Sequence, residues 1–156
     1  MDSLDTIEQA RKEGKKIGFT CSTFELGPHC GHDIMLAEAK RNCDFLVVGL
    51  LTDPTNDRNE KNKPCQTTFE RWIQITSIKY ADLIIPFDTE RDLLNMLKII
   101  KPDIRFVGEE YKGTQHTGWD LEGIEIYYNE RKHDYSSTLF RNKLLENTQL
   151  REKLKG

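Results

Sequence analysis

IGFTCST-FELGPHCGH-DIMLAEAKRN, residues 17–42, is the stretch whose reading decides the fold. Ile17 to Thr23 is a short apolar, β-prone run and reads as a first strand. Residues 24–32, FELGPHCGH, break it with Gly27, Pro28 and Gly31. Asp33 to Asn42 then carries Ile34, Met35, Leu36, Ala37 and Ala39 in a helical register. A strand that turns straight into a helix opens a βαβ unit.

The same alternation runs outward in both directions. Upstream, Leu4, Ile7, Ala10 and Arg11 predict a short helix over residues 4–14, ended by Gly14. It forms an N-terminal helical extension over residues 1–16. Downstream, Phe45 to Leu51 (FLVVGLL) is continuously apolar, as a strand covered on both faces must be. Thr52 to Gln66 is a polar loop with Asp53, Pro54, Asn56 and Pro64. Phe69, Trp72, Ile73, Ile75 and Ile78 predict a helix with Thr67 or Thr68 as N-cap. Trp72 and Trp119 read as packing residues. Leu83 to Phe87 is a third strand. Thr89 caps a helix whose inner face holds Leu93, Leu94, Met96, Leu97 and Ile100, and Pro102 stops it. Ile104 to Val107 and Ile124 to Tyr128 are two further strands. Ser136 or Ser137 caps a last helix through about Leu154. The expected architecture is α/β: a Rossmann-like three-layer αβα domain over residues 1–156 with a mainly parallel five-stranded sheet.

Composition narrows the function. The net charge is -3 and no Lys/Arg block stands out, so a general nucleic-acid binder is not expected. No apolar run approaches the ~20 residues of a membrane span. The charged N-terminus lacks the apolar core of a signal peptide. The four cysteines, Cys21, Cys30, Cys43 and Cys65, form no C-x-x-C pair, which fits a reducing, cytoplasmic setting.

In parallel sheets of this kind ligands bind beyond the carboxyl ends of the strands, at the switch point. FELGPHCGH is therefore the prime candidate site. His29 and His32 bracket Cys30 and Gly31 at a helix entry. A helix N-terminus suits phosphate, and two imidazoles there can donate to its oxygens. Gly31 lets the backbone come close to a ligand. Three other readings stay open at this point. The turn is a plain helix cap; or His29, Cys30 and His32 hold a metal, against the usual ligand spacing; or Cys30 is a nucleophile beside His29.

Residues Ser22-Thr23-Phe24-Glu25 through His29-Cys30-Gly31-His32 resemble the G-x-F-D-x-x-H-x-G-H signature of cytidylyltransferase-like nucleotidyltransferases. Within that family the chain resembles glycerol-3-phosphate cytidylyltransferases and the nucleotidyl domain of ADP-heptose synthases. The resemblance covers about residues 17–145. It continues through Thr52-Asp53, Lys63, Glu70-Arg71, Lys79-Tyr80-Ala81-Asp82 and Gly108-Glu109-Glu110-Tyr111. It ends in RKHDYSST, residues 131–138, which is similar to R-T-E-G-I-S-T-T.

The resemblance implies in-line attack by a substrate phosphate on the α-phosphorus of CTP or ATP, with loss of pyrophosphate. It makes His29 and His32 the triphosphate-holding pair, with Lys63, Arg131 and Lys79 as further catalytic cations. It places Thr23, Phe24, Glu25, Gly31, Glu109, Glu110, Ser136, Ser137 and Thr138 around the nucleotide. It implies Mg²⁺ held mainly by the triphosphate, no protein metal ligands, and a homodimer. The chain departs from the signature in four places. Ser22 stands for Gly and Glu25 for Asp. One residue is added between Phe24 and His29, through Gly27-Pro28. Lys79 stands for Arg. The added residue is expected to rotate His29 away while His32 keeps its register.

Overall fold

The computed structural model describes residues 2–155. In chain order it has α1 (Ser3–Lys12), β1 (Ile17–Ser22), α2 (Cys30–Arg41), β2 (Phe45–Leu51), α3 (Thr68–Thr76), β3 (Leu83–Phe87), α4 (Glu90–Ile100), β4 (Ile104–Gly108), β5 (Glu125–Asn129) and α5 (Ser137–Lys155). Short 3-10 turns at Pro54–Asn56 and Glu109–Tyr111 interrupt the loops after β2 and β4. The sheet order is β3-β2-β1-β4-β5, and every neighbouring pair is parallel.

Strand alternation divides the core in two. Ile17 and Phe19 of β1 and Val47 and Leu51 of β2 pack with Ile7 and Ala10 of α1 and with Leu93, Leu97 and Ile100 of α4. Leu46, Val48 and Leu50 of β2 and Ile104 and Phe106 of β4 pack on the other face, against Leu36 and Ala39 of α2 and Ile75 of α3. The N-terminal helix is thus part of the core. Helices on both faces explain why β2 is an unbroken apolar run.

The chain departs from β1 first toward β2 and β3, then crosses back to β4 and β5. This reversal opens a crevice between the carboxyl ends of β1 and β4. Two expectations are corrected. The helix after the first strand starts at Cys30 and not at Asp33, because His29 supplies the cap. Trp72 does not pack in the core: it is exposed together with Phe69 and Ile73, and the buried residues of α3 are Arg71 and Ile75. Trp119 is exposed too.

Candidate active site

The crevice is a cleft of about 890 Å³ over the carboxyl ends of β1 and β4. Its wall includes Thr23, Phe24 and Glu25 after β1, His32 on α2, Glu110 after β4, and Ser137, Thr138 and Arg141 on α5. Two helix N-termini, those of α2 and α5, meet at it.

The histidines fold into their own cap. The backbone N–H of Gly31 donates to His29 Nδ1 at 3.1 Å, and the backbone N–H of His29 points at His32 Nδ1 at 3.4 Å. The two rings stack with centroids 3.8 Å apart. Because Nδ1 accepts on each ring, the neutral imidazole carries its proton on Nε2. His29 Nε2 lies 3.4 Å from Ser137 Oγ, whose own hydroxyl donates to the Glu25 carbonyl at 2.9 Å. Each histidine therefore offers an Nε2–H donor. Burial, and secondarily His29, hold the His32 pKa down to about 3, so that donor is a neutral one at pH 7. Burial lowers the His29 pKa as well. The residue added before His29 does not carry it away from His32. Phe24 and Leu26 take left-handed φ of 53° and 52° in the loop and bring His29 back to the helix start. Strained non-glycine backbone of this kind concentrates at functional sites.

Gly31 plays a part other than ligand contact. A Cβ there would come 2.9 Å from His29 Cε1 and 2.9 Å from the Tyr135 carbonyl. Glycine lets the loop before α5 seat on the α2 turn. In that loop Arg131 donates to the Tyr135 carbonyl at 2.9 Å, and its backbone N–H donates to Glu109 Oε1 at 3.0 Å. Ser136 accepts from the backbone N–H of Leu139 at 3.0 Å and caps α5, so Ser137 is the first serine aimed at the cleft.

Arg71 is 1% exposed and forms no ion pair among the described residues. Its guanidinium donates to the carbonyls of Thr23 (2.7 Å), Leu51 (2.8 Å), Thr52 (2.6 Å) and Gln66 (3.3 Å), and to Thr68 Oγ1 (3.3 Å). It fastens the loop after β1 to the end of β2. Glu25 is 8% exposed. Its Oε1 accepts from the thiol and backbone N–H of Cys65, Arg141 stands 3.8 Å away, and Oε2 is buried without a partner.

The fold does not bring every expected residue here. Lys79 is exposed and packs its ammonium over Tyr80, 5.1 Å from the ring centroid. It precedes β3 and so sits at the amino edge of the sheet, opposite the cleft; it is corrected out of the site. Lys63, Glu109, Arg131 and Ser136 stand outside the cleft wall, in neighbouring loops, and so do His29 and Gly31 at the start of α2, His29 facing an adjoining hollow with Tyr135 and Ser136, while Lys61 and Asn62 line the cleft. Arg141 was missed in the sequence. It falls four residues after Ser137, hence on the same helix face, and that spacing was its signal. Arg105 was missed as well; a charge inside the apolar run Ile104 to Val107 was the clue. Among the described residues no group of His, Cys, Asp and Glu could hold a metal ion, and no helix is long and apolar enough to cross a membrane.

The cytidylyltransferase-like family profile matches residues 19–143. The bifunctional protein HldE of a Caulobacter species is 37% identical over 120 residues, 76% of this chain and 24% of that protein. HldE of Caulobacter vibrioides is 32% identical over 136 residues, 85% of this chain and 28% of the relative. The chain spans about a quarter of the length of these relatives. Among solved structures, a lipopolysaccharide core biosynthesis protein from Thermoplasma volcanium superposes with a TM-score of 0.63 at 25% identity, covering 77% of this chain and 100% of that one. Pantothenate synthetase from Thermus thermophilus shares the fold, with a TM-score of 0.61 at 16% identity over 90% of this chain and 66% of the other. With the profile spanning most of the chain and the histidine turn at the switch point, this chain belongs to the cytidylyltransferase-like family of nucleotidyltransferases.

Proposed function

We propose that the chain transfers a nucleotidyl group from CTP to a small phosphorylated acceptor such as a phospho-polyol, phospho-amino alcohol or sugar phosphate. An acceptor phosphate oxygen attacks the α-phosphorus, the bond to the bridging oxygen breaks on the far side, and pyrophosphate leaves. The observation that carries this reading is the meeting of the α2 and α5 N-termini through His29 and Ser137. The positive ends of two helices and two neutral Nε2–H donors suit a polyphosphate whose charge grows during reaction. The reading gives His29 and His32 the α-phosphoryl oxygens, and Ser137, Thr138 and Arg141 the leaving pyrophosphate. Lys63 and Arg131, in loops beside the cleft, add positive charge when the ligand is in place. Thr23, Phe24, Glu25 and Glu110 line the nucleotide, with Glu109 holding Arg131.

Mg²⁺ would enter with the triphosphate, because this ion keeps few protein ligands. When bound it neutralises charge on the leaving group. ATP is the second reading for the donor, favoured by the resemblance to the nucleotidyl domain of ADP-heptose synthases. The resemblance also favours a pair of identical chains as the working unit.

The test is pyrophosphate release with Mg²⁺, each of the four common triphosphates and a panel of phosphorylated acceptors. At least one pairing should turn over, and His32→Ala should lose about 100-fold or more in kcat. Folded protein that releases no pyrophosphate with any pairing would count decisively against the proposal.

A further inference from the structure

Arg105 interrupts an otherwise apolar strand. Its neighbours Ile104 and Phe106 enter the α2/α3 core, so Arg105 projects to the α4 side of the sheet. It is 5% exposed and lines the cleft. Arg71 is buried as deeply, but its donors meet five acceptors. Among the described residues Arg105 has one oxygen acceptor, the carbonyl of Thr117, a second and weaker contact with the Cys21 sulfur, and no ion pair. Cys21 lies beside it but carries no charge to offset it. Burial pushes that thiol up to about 11.

The carboxylates nearby are already engaged. Glu90 accepts from Arg58 at 2.9 Å and from the Thr117 hydroxyl at 2.5 Å, and Asp57 accepts from the backbone N–H of Glu90 at 2.6 Å. Glu90 and Asp57 thus already hold partners, while Arg105 keeps guanidinium donors to spare. A guanidinium has five N–H groups, and leaving most of them dry and unpaired is costly. The group that recovers the cost is an oxyanion, which guanidinium binds in a fork. Arg58, paired with Glu90, and Lys61 line the same cleft and bring two further cations to its wall. Thr20 and Cys21 also line the cleft and point to opposite faces of β1. The cleft thus straddles that strand, with His32 and Arg141 toward one end and Arg105 toward the other.

We propose that Arg105, assisted by Arg58 and Lys61, is a second anion subsite that takes the far end of the acceptor. The acceptor then carries a carboxylate or a second phosphate in addition to the phosphate that reacts. Calling the ligand the acceptor rests on the nucleotidyl-transfer reading; the preference for an oxyanion rests on Arg105 alone.

Calorimetric binding without nucleotide separates the two. The probes are matched pairs: glycerol 3-phosphate against 3-phosphoglycerate, and glucose 1-phosphate against glucuronate 1-phosphate and glucose 1,6-bisphosphate. The carboxylated or doubly phosphorylated member of at least one set should bind about tenfold tighter. The carboxylate and bisphosphate arms tell which oxyanion is preferred. Arg105→Met should abolish that preference, and Arg105→Lys should keep part of it, because charge survives while the fork is lost. Equal binding within every set, no binding of any probe up to about 10 mM, or a preference that survives Arg105→Met in folded protein would overturn the subsite. If Arg105→Met does not fold, the wild-type comparison and Arg105→Lys still decide. Oxyanion preference without pyrophosphate release would leave the subsite standing and sink the transfer reading. Release with indifference to the second anion would do the reverse.

Discussion

In the unfolded chain the His32 imidazole titrates near 6.5, whereas in the fold burial and the stacked His29 hold it down to about 3. Between those values the unfolded chain binds a proton that the folded chain does not. The stability this group contributes is therefore complete above pH 6.5 and is lost as pH falls toward 3. The expected outcome is a melting temperature that drops from pH 7 to pH 4.5, with a shallower slope in His32→Ala. Scanning calorimetry across that range checks it, and parallel slopes for the two proteins would contradict it. The pair of histidines was legible in the sequence because their spacing around Gly31 is itself the signal. Their neutral state was not, because it depends on Phe24, whose ring centroid lies 4.9 Å from that of His32. Left-handed backbone at Phe24 and Leu26 was equally invisible, since nothing in those residue types demands it.

At the scale of elements, the carboxyl edge of the sheet is held by a side chain rather than by strand pairing. Arg71 reaches from α3 to carbonyls at the ends of β1 and β2. In the sequence Arg71 is one half of the Glu70-Arg71 pair, with no local signal that its side chain is buried. Burial at 1% and five non-acidic acceptors show its use. Arg71→Lys keeps the charge but cannot reproduce a planar fork, and it leaves buried carbonyls unpaired. The expected cost is about 3 kcal/mol in denaturant unfolding, with a fall in kcat as the Thr23 loop loosens. A loss below about 0.5 kcal/mol would show that water replaces the missing donors. Element order was legible throughout, because apolar period and turn residues are local properties. The start of α2 was placed three residues late because histidine is an unusual N-cap, and the cap forms only once the two rings stack.

The whole molecule buries its sheet well and its last helix poorly. None of the nineteen residues of α5 is buried, and every residue from Asn142 to Lys155 is exposed. Phe140, Leu144, Leu150 and Leu154 nevertheless fall within one arc of that helix. On α3, Phe69, Trp72 and Ile73 are also exposed, with the two aromatic rings stacked 6.5 Å apart. A helix that packs on nothing is only marginally stable in water, and exposed apolar surface in quantity marks an association site. Right-handed crossovers applied to the alternating pattern made helices on both faces accessible from sequence, whereas the strand order was not, since more than one order obeys that rule. What covers these outer faces is not written in any one chain's periodicity. A second copy, the pairing proposed above, would supply the same apolar residues in return, which is how two-fold pairs form. Sedimentation equilibrium should give twice the chain mass, and helix content by circular dichroism should fall on dilution as α5 loses its cover. Trp72→Glu and Leu144→Glu, made separately, should tell which face pairs, since a charge at the buried centre of an interface costs several kcal/mol. A single-chain mass at all concentrations, with undiminished helix content, would mean that α5 stands on its own and that the pairing is wrong.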